Sequence, residues 1–213
     1  MTKNIIFDLG GVVIDLQRLN AVKALQQLGI ADADKLLSDY EQKGPFLKLE
    51  TGEFTSADFF DTLLPLCRPG TTTRDIRDAF EQFLVGLPVE RLRTIEALRE
   101  HGYRVYVLSN TNPIMYNHWI ELAFRQDGKT INDYFDGIVA SFQERTCKPD
   151  PQIFRNLVNR YHLNPSETLM LDDSAANCKA AESIGLTAIQ VEKEGVNSFR
   201  SICQRLLESE VAK

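Results

Sequence analysis

Hydrophobic positions recur along the chain with two different periods, and the switches between them divide it. Ile5-Ile6-Phe7 is an unbroken apolar run, two β-branched residues and one aromatic, which predicts a short, fully buried strand that stops at Asp8. From Leu16 to Gly86 the spacing becomes helical. Leu19, Val22, Leu25 and Leu28 form one stripe, followed by Leu36, Leu37 and Tyr40, by Phe59, Phe60, Leu63 and Leu64, and by Ile76, Phe80, Phe83 and Leu84. Turn-forming breaks at Gly29, Gly44-Pro45, Gly52 and Pro69-Gly70 separate the stripes, and Thr55-Ser56-Ala57-Asp58 carries a helix-capping signal. With no strand pattern between them, residues 16–86 are expected to form an all-helical insertion, a small bundle with its own core.

After Leu87-Pro88 helices and strands alternate. Val89, Leu92, Ile95 and Leu98 mark a helix ending at His101-Gly102, and Tyr103 to Leu108 reads as a buried strand. The cycle then repeats. A helix over 114–124 precedes a short strand at 137–140, a helix over 151–161 precedes a strand at 168–171, and a helix over 175–184 precedes a strand at 188–191 and a closing helix over 196–207. Such alternation predicts an α/β fold, a doubly wound, mostly parallel sheet with a Rossmann-like core, built from residues 1–15 and 87–213.

Composition narrows the function classes. In 213 residues, 43% apolar and 25% charged content is that of a soluble globular chain with room for one large domain or a core with an insertion. The net charge of −6 argues against a nucleic-acid partner, which needs a positive face. Asp8 interrupts the only early apolar run, so neither a signal peptide nor a membrane span is expected, and the protein is expected to be cytoplasmic. Cys67, Cys147, Cys178 and Cys203 lack paired spacing, which makes reduced thiols the expectation. Oligomeric state is left open.

Candidate chemistry follows from topology, because ligands of such sheets bind beyond the carboxyl ends of the strands. The residues there are Asp8 with Gly10, then Ser109-Asn110-Thr111, then Lys148, then Asp172-Asp173. Each has an ordinary explanation when it stands alone: a turn-capping Asp, a Ser-Asn helix cap, a solvated Lys before Pro, an acidic pair at a helix start. Four strand ends carrying them in this order converge two or three carboxylates, a hydroxyl-amide pair and one lysine on one crevice.

The series Phe7-Asp8-Leu9-Gly10-Gly11-Val12, Leu108-Ser109-Asn110, Lys148-Pro149-Asp150-Pro151 and Leu171-Asp172-Asp173-Ser174-Ala175-Ala176-Asn177 resembles the four ordered motifs of the haloacid dehalogenase-like hydrolase superfamily. The resemblance spans essentially the whole chain, and the helical insertion over 16–86 looks like that family's small cap. It implies a magnesium-dependent phosphatase that works through an aspartyl-phosphate on a small phosphorylated metabolite. On that similarity Asp8 is the nucleophile, Ser109 and Asn110 bind the phosphoryl group, and Lys148 neutralises its charge. Asp173 holds magnesium with Asp8 and the Gly10 carbonyl. Elementary electrostatics agrees, since a carboxylate approaching a phosphate faces roughly 4 kcal/mol per like-charge pair at 4 Å and an effective dielectric of 20, which cations must offset. Asp172 is placed to orient Lys148 or a water, and Asn177 to stand behind the metal site.

One position departs from the family pattern. Most of its phosphatases carry a second aspartate two residues after the nucleophile, the general acid-base, and here that residue is Gly10. Loss of such a group typically forfeits about 10²–10⁴ in rate. Good leaving groups are then favoured, sugar 1-phosphates and aryl or acyl phosphates ahead of alkyl phosphates. Asp15, a cap residue or a substrate hydroxyl acting through water are the possible replacements. The alternatives are a catalytically weak binding or regulatory protein, and a 2-haloacid dehalogenase, whose leaving halide needs no proton. Phe46, Lys48 and Glu50 of the cap, with His118 and Trp119 of the core, are candidates for the pocket wall.

Overall fold

The structure, a computed structural model, describes residues 1–40 and 42–209; residues 210–213, the end of the expected core, lie outside the described residues. Its strands are β1 (Asn4–Phe7), β2 (Asp15–Leu16), β3 (Leu84–Gly86), β4 (Arg104–Ser109), β5 (Gly137–Ala140), β6 (Thr168–Asp172) and β7 (Thr187–Gln190). Five of them form one wholly parallel sheet in the order β5-β4-β1-β6-β7. The strand nearest the N-terminus therefore occupies the centre, with Phe7 in register with Val107 on one side and Leu171 on the other. Asp8 follows directly and keeps its backbone on the ladder through Asp8 N–H to the Leu171 carbonyl, 2.9 Å.

Burial on both faces explains the unbroken apolar strands. Alternate residues Ile5, Phe7, Val105, Val107, Leu169 and Leu171 belong to one buried cluster, while Ile6, Tyr106, Leu108 and Met170 belong to the other. The helices Val89–Glu100 and Phe199–Glu208 cover the first face, through Leu92, Ile95 and Leu98 and through Phe199, Ile202 and Cys203. The second face is covered by Pro151–Arg160 and Ala175–Glu182, through Ile153, Phe154, Leu157 and Ala181. Helices on both faces of a parallel sheet give the doubly wound architecture that the alternation predicts.

The segment between Leu16 and Gly86 contains the helices Arg18–Leu28, Ala33–Leu36, Gly44–Glu50, Ser56–Leu63 and Thr73–Glu81. Thr55 and Thr72 each form a reciprocal capping box, with Asp58 and Asp75 respectively. Three expectations change here. The stripe of Leu36, Leu37 and Tyr40 is not one helix, because the chain leaves the helical conformation at Leu37, whose backbone is extended, and bends at Asp39 and Tyr40. Nor does the last helix reach Leu84, which instead opens β3 and pairs antiparallel with β2 at the root of the insertion. This two-residue ribbon is too short to leave a periodic trace in sequence. Finally, the insertion has no separate core: Phe46, Phe59 and Phe80, with ring centroids 5.0 to 5.7 Å apart, join the cluster on the first face of the sheet.

Cap and core also meet through backbone. Gly52, at φ +65°, lies so close to the helical turn after β5 that a Cβ would sit 2.1 Å from the Phe142 carbonyl oxygen. Replacing Gly52 with Ala combines a left-handed conformation with that clash. Urea unfolding is expected to show a loss of about 1–3 kcal/mol; an unchanged midpoint would mean that the seam yields freely.

Candidate active site

The ends of β1, β4 and β6 and the loop after β5 bring their groups to one place, and a buried lysine ties them together. Lys148, whose side chain is 1% exposed, places Nζ 2.7 Å from Asp172 Oδ2 and 2.9 Å from Asp8 Oδ2. The other Asp172 oxygen accepts from the Ser174 N–H and from Asn177 Nδ2, both at 2.9 Å. Asp172 thus has both oxygens occupied and serves to position Lys148. Asn177, one helical turn onward, fixes Asp172. Asp8 Oδ1 accepts from its neighbour Leu9 N–H at 2.7 Å, which sets the carboxylate's orientation at the strand end.

Asn110 clamps the lysine's backbone. Its amide oxygen accepts from the Lys148 N–H at 2.8 Å and its Nδ2 donates to the Lys148 carbonyl at 2.9 Å, so the side chain is committed to the loop after β5. Ser109 and Asn110 both line the pocket, and among the described residues the Ser109 hydroxyl is held only by a long contact, 3.4 Å, to the Asn110 carbonyl. A hydroxyl with so weak an internal partner is available to an incoming anion.

Asp173 projects toward the glycine turn after β1. Gly11, at φ +75°, leaves room for it, since a Cβ there would lie 2.2 Å from Asp173 Oδ2. Gly10 does not need the left-handed region; only the tip of Leu16, 3.0 Å from a Cβ, would have to give way. Of the two glycines, the second is the one the geometry requires. Carboxylate oxygens of Asp8, Asp172 and Asp173 lie within 4.8 Å of one another. With Asp172 saturated, Asp8, Asp173 and the Gly10 carbonyl, which no donor among the described residues takes, remain as oxygen ligands for a hard cation.

The electrostatics are those of a site short of positive charge. Burial pushes the Asp8 carboxyl up to about 8, with the Lys148 charge opposing and Asp172 and Asp173 adding to the rise. Asp173 is likewise raised by burial and by Asp172, to about 6. Burial alone would lower the Lys148 ammonium, but Asp172 and then Asp8 outweigh it and raise it above the ordinary lysine range. Three carboxylates against one ammonium leave an excess of negative charge that a divalent cation neutralises.

The pocket wall corrects part of the expected list. Of the three cap candidates only Glu50 lines the pocket; Phe46 is fully buried in the aromatic cluster, and Lys48 pairs with Glu53 at 2.9 Å. His118 bonds Glu81 at 2.9 Å and Trp119 packs on the core, while Met115 and Ile120 of the same segment face the pocket. That segment has a π-helical turn at Tyr116–Ile120, which shifts side chains off the 3.6-residue stripe. Asp39, Tyr40 and Gln42, beyond the point at Leu37 where the helix ends, also reach the pocket.

Comparison with known proteins agrees with this geometry. A family model described as haloacid dehalogenase-like hydrolase matches residues 2–185. The D-ribitol-5-phosphate phosphatase of Bacteroides thetaiotaomicron is 38% identical over 192 residues, 90% of this chain and 93% of that protein. Among solved structures, a haloacid dehalogenase family enzyme of the same organism, with magnesium and inorganic phosphate bound, superposes with a TM-score of 0.84 at 31% identity, covering 92% of this chain and 96% of that one. A predicted hydrolase of this type from Porphyromonas gingivalis gives 0.88 at 32% identity, covering 98% and 99%.

Removing Asp172 leaves the buried Lys148 with Asp8 alone. Asp172→Ala is expected to lower stability by about 3–5 kcal/mol in urea unfolding without added metal, the usual result of breaking a buried pair. A loss below about 1 kcal/mol, the range of an exposed pair, would show that Asp8 suffices to hold the ammonium.

Proposed function

The chain belongs to the haloacid dehalogenase-like hydrolases, and from that premise we propose that it is a magnesium-dependent phosphomonoester hydrolase acting on a small phosphorylated metabolite through an aspartyl-phosphate. The observation that carries this reading is the charge arrangement at the strand ends: Asp8 and Lys148 2.9 Å apart, beside Asp173, in one pocket with Ser109. Asp8 is the nucleophile. Its Oδ1 is fixed by the Leu9 N–H, and the same carboxylate faces the lysine whose charge offsets that of a phosphoryl group. Ser109 donates to a phosphoryl oxygen. Asn110 contributes by locking the Lys148 backbone. Asp8, Asp173 and the Gly10 carbonyl hold magnesium, consistent with the relative that binds magnesium and phosphate together. When bound, the ion supplies charge neutralisation and orientation of the phosphoryl oxygens.

The binding-protein reading is weaker because nucleophile, lysine and metal acids are all present and mutually supported. A dehalogenase has no use for Asp173 as a metal acid. The substrate's leaving group is the finer question. A sugar 1-phosphate was the expectation from the missing acid at Gly10, whereas the relative's D-ribitol 5-phosphate is by its name a primary alkyl phosphate.

A panel of phosphomonoesters with and without magnesium tests the reading. Hydrolysis is expected only with magnesium and is expected to vanish in Asp8→Asn. Asp173→Ala is expected to raise the magnesium needed for half-maximal rate by more than about 10–100-fold, the effect typical of groups that merely orient ligands. Phosphate binding without turnover would favour a binding protein. Halide release from a 2-haloacid would favour a dehalogenase.

A further inference from the structure

An alkyl phosphate needs a proton for its leaving oxygen, and the floor of the pocket offers none. Gly10 has no side chain. Asp15, the next acid in the chain, is half exposed and paired with Arg91 at 2.8 Å. Asp39 and Tyr40 reach the pocket, but their electrostatic partner is Asp173, on the metal side. That leaves Glu50.

Glu50 is the last residue of the cap helix Gly44–Glu50 and is 8% exposed, yet its carboxyl has no hydrogen-bond or ion-pair partner among the described residues. A buried acid without a partner is costly unless it is neutral or waits for a ligand. It lines the same pocket as Asp8, Ser109 and Lys148. Its backbone is anchored to the core: the fully buried Ser141 hydroxyl donates to the Glu50 carbonyl at 2.7 Å and accepts from the Thr111 N–H at 3.0 Å. The charged groups that face it are Asp8 and Lys148, and the Cys147 thiol senses its charge. Burial, with Asp8 adding and Lys148 opposing, pushes its carboxyl up to about 8, which favours the protonated form.

We propose that Glu50 is the general acid and base of this hydrolase, a cap residue that takes over the proton transfers for which Gly10 has no group. The inference rests on the Asp8 phosphatase reading. Attacking and leaving oxygens lie roughly in line in phosphoryl transfer, so with Asp8 on the floor the leaving oxygen points toward the cap. As Asp8 Oδ bonds to phosphorus, the bond to the leaving oxygen breaks, its electron pair goes to that oxygen, and the Glu50 proton follows to give the free alcohol. In the second step a water loses a proton to the Glu50 carboxylate as its oxygen attacks phosphorus. The phosphorus–Asp8 bond breaks, which regenerates the Asp8 carboxylate and releases inorganic phosphate.

Glu50→Gln keeps the shape and removes the proton, so kcat/KM of wild type and variant are compared on D-ribitol 5-phosphate and on 4-nitrophenyl phosphate, both with magnesium. The alkyl substrate is expected to lose about 10²–10⁴ and the aryl substrate less than about tenfold, because an aryl oxide leaves without help. The alkyl profile is expected to fall on its alkaline side in wild type, as the raised Glu50 carboxyl loses its proton, with no such limb in the variant. A burst of nitrophenol with accumulated phosphoenzyme is expected in the variant, whose second step lacks its base. Equal losses on both substrates, or an unaffected alkyl rate, would overturn the assignment. Activity that survives Asp8→Asn, or a wild type inert toward both esters, would instead remove the phosphatase reading and this inference with it.

Discussion

The Lys148 ammonium, held between Asp8 and Asp172 with almost no access to water, is the interaction on which the rest depends. Removing an ammonium and two carboxylates from water costs several kcal/mol per ion after relaxation, and only short, well-directed contacts return that cost. Every neighbour is recruited to supply them. Ser174 and Asn177 occupy the far oxygen of Asp172, Leu9 orients Asp8, and Asn110 pins the lysine's backbone from the end of β4. Three strands and one loop are thereby fixed relative to one another by these contacts. Asp173 adds a further carboxylate beside this triad, and the resulting imbalance makes the pocket receptive to a divalent cation.

The cap is not an independent lid resting on that site. Its aromatic cluster continues the apolar layer on one face of the sheet, its root is a two-stranded ribbon, and its helix Gly44–Glu50 is bonded through Ser141 to the strand ends. His118 bonded to Glu81 joins it to the core a second time, beside the pocket's apolar lining residues Phe80, Met115 and Ile120. Substrate selection and catalysis therefore share one rigid frame, and a change in cap packing is transmitted to the floor through short, named contacts.

The division of the chain, the parallel sheet and the strand-end residues were legible because burial on both faces leaves unbroken apolar runs, and topology gathers whatever follows them. What escaped was local geometry. Leu36, Leu37 and Tyr40 have helical spacing, yet the backbone extends at Leu37, and spacing alone cannot register a change of dihedral. Lys48, two positions from Glu50, stands on the other side of the helix and pairs with Glu53, because successive helix positions turn about 100°, whereas Phe46 shares the Glu50 face one turn earlier and enters the aromatic cluster. Gly10 and Gly11 look alike in sequence, and only the approach of Asp173 separates the required glycine from the tolerated one. Glu50 is a pocket-wall candidate in the sequence, but no sequence signal marks its acid character, which comes from burial beside Asp8.

Placing the acid on the cap has a physical logic that the floor makes visible. An aspartate at position 10 would have brought another carboxylate into a site that already holds three against one ammonium, and its Cβ would press on Leu16, an apolar wall of the same pocket. Each further anion at the floor works against a phosphate dianion by a few kcal/mol at contact distances. A neutral Glu50 approaching from the opposite side avoids that repulsion, since it brings a proton and no charge until the leaving oxygen has departed. The carboxylate it then becomes is formed only after one bond to phosphorus has broken, when a base is needed and the departing alcohol has vacated the cap side. Proton transfer is in this way tied to the seating of the cap on the core, through the Ser141 hydroxyl that fixes the Glu50 backbone, so the pocket that encloses the substrate also completes its chemistry.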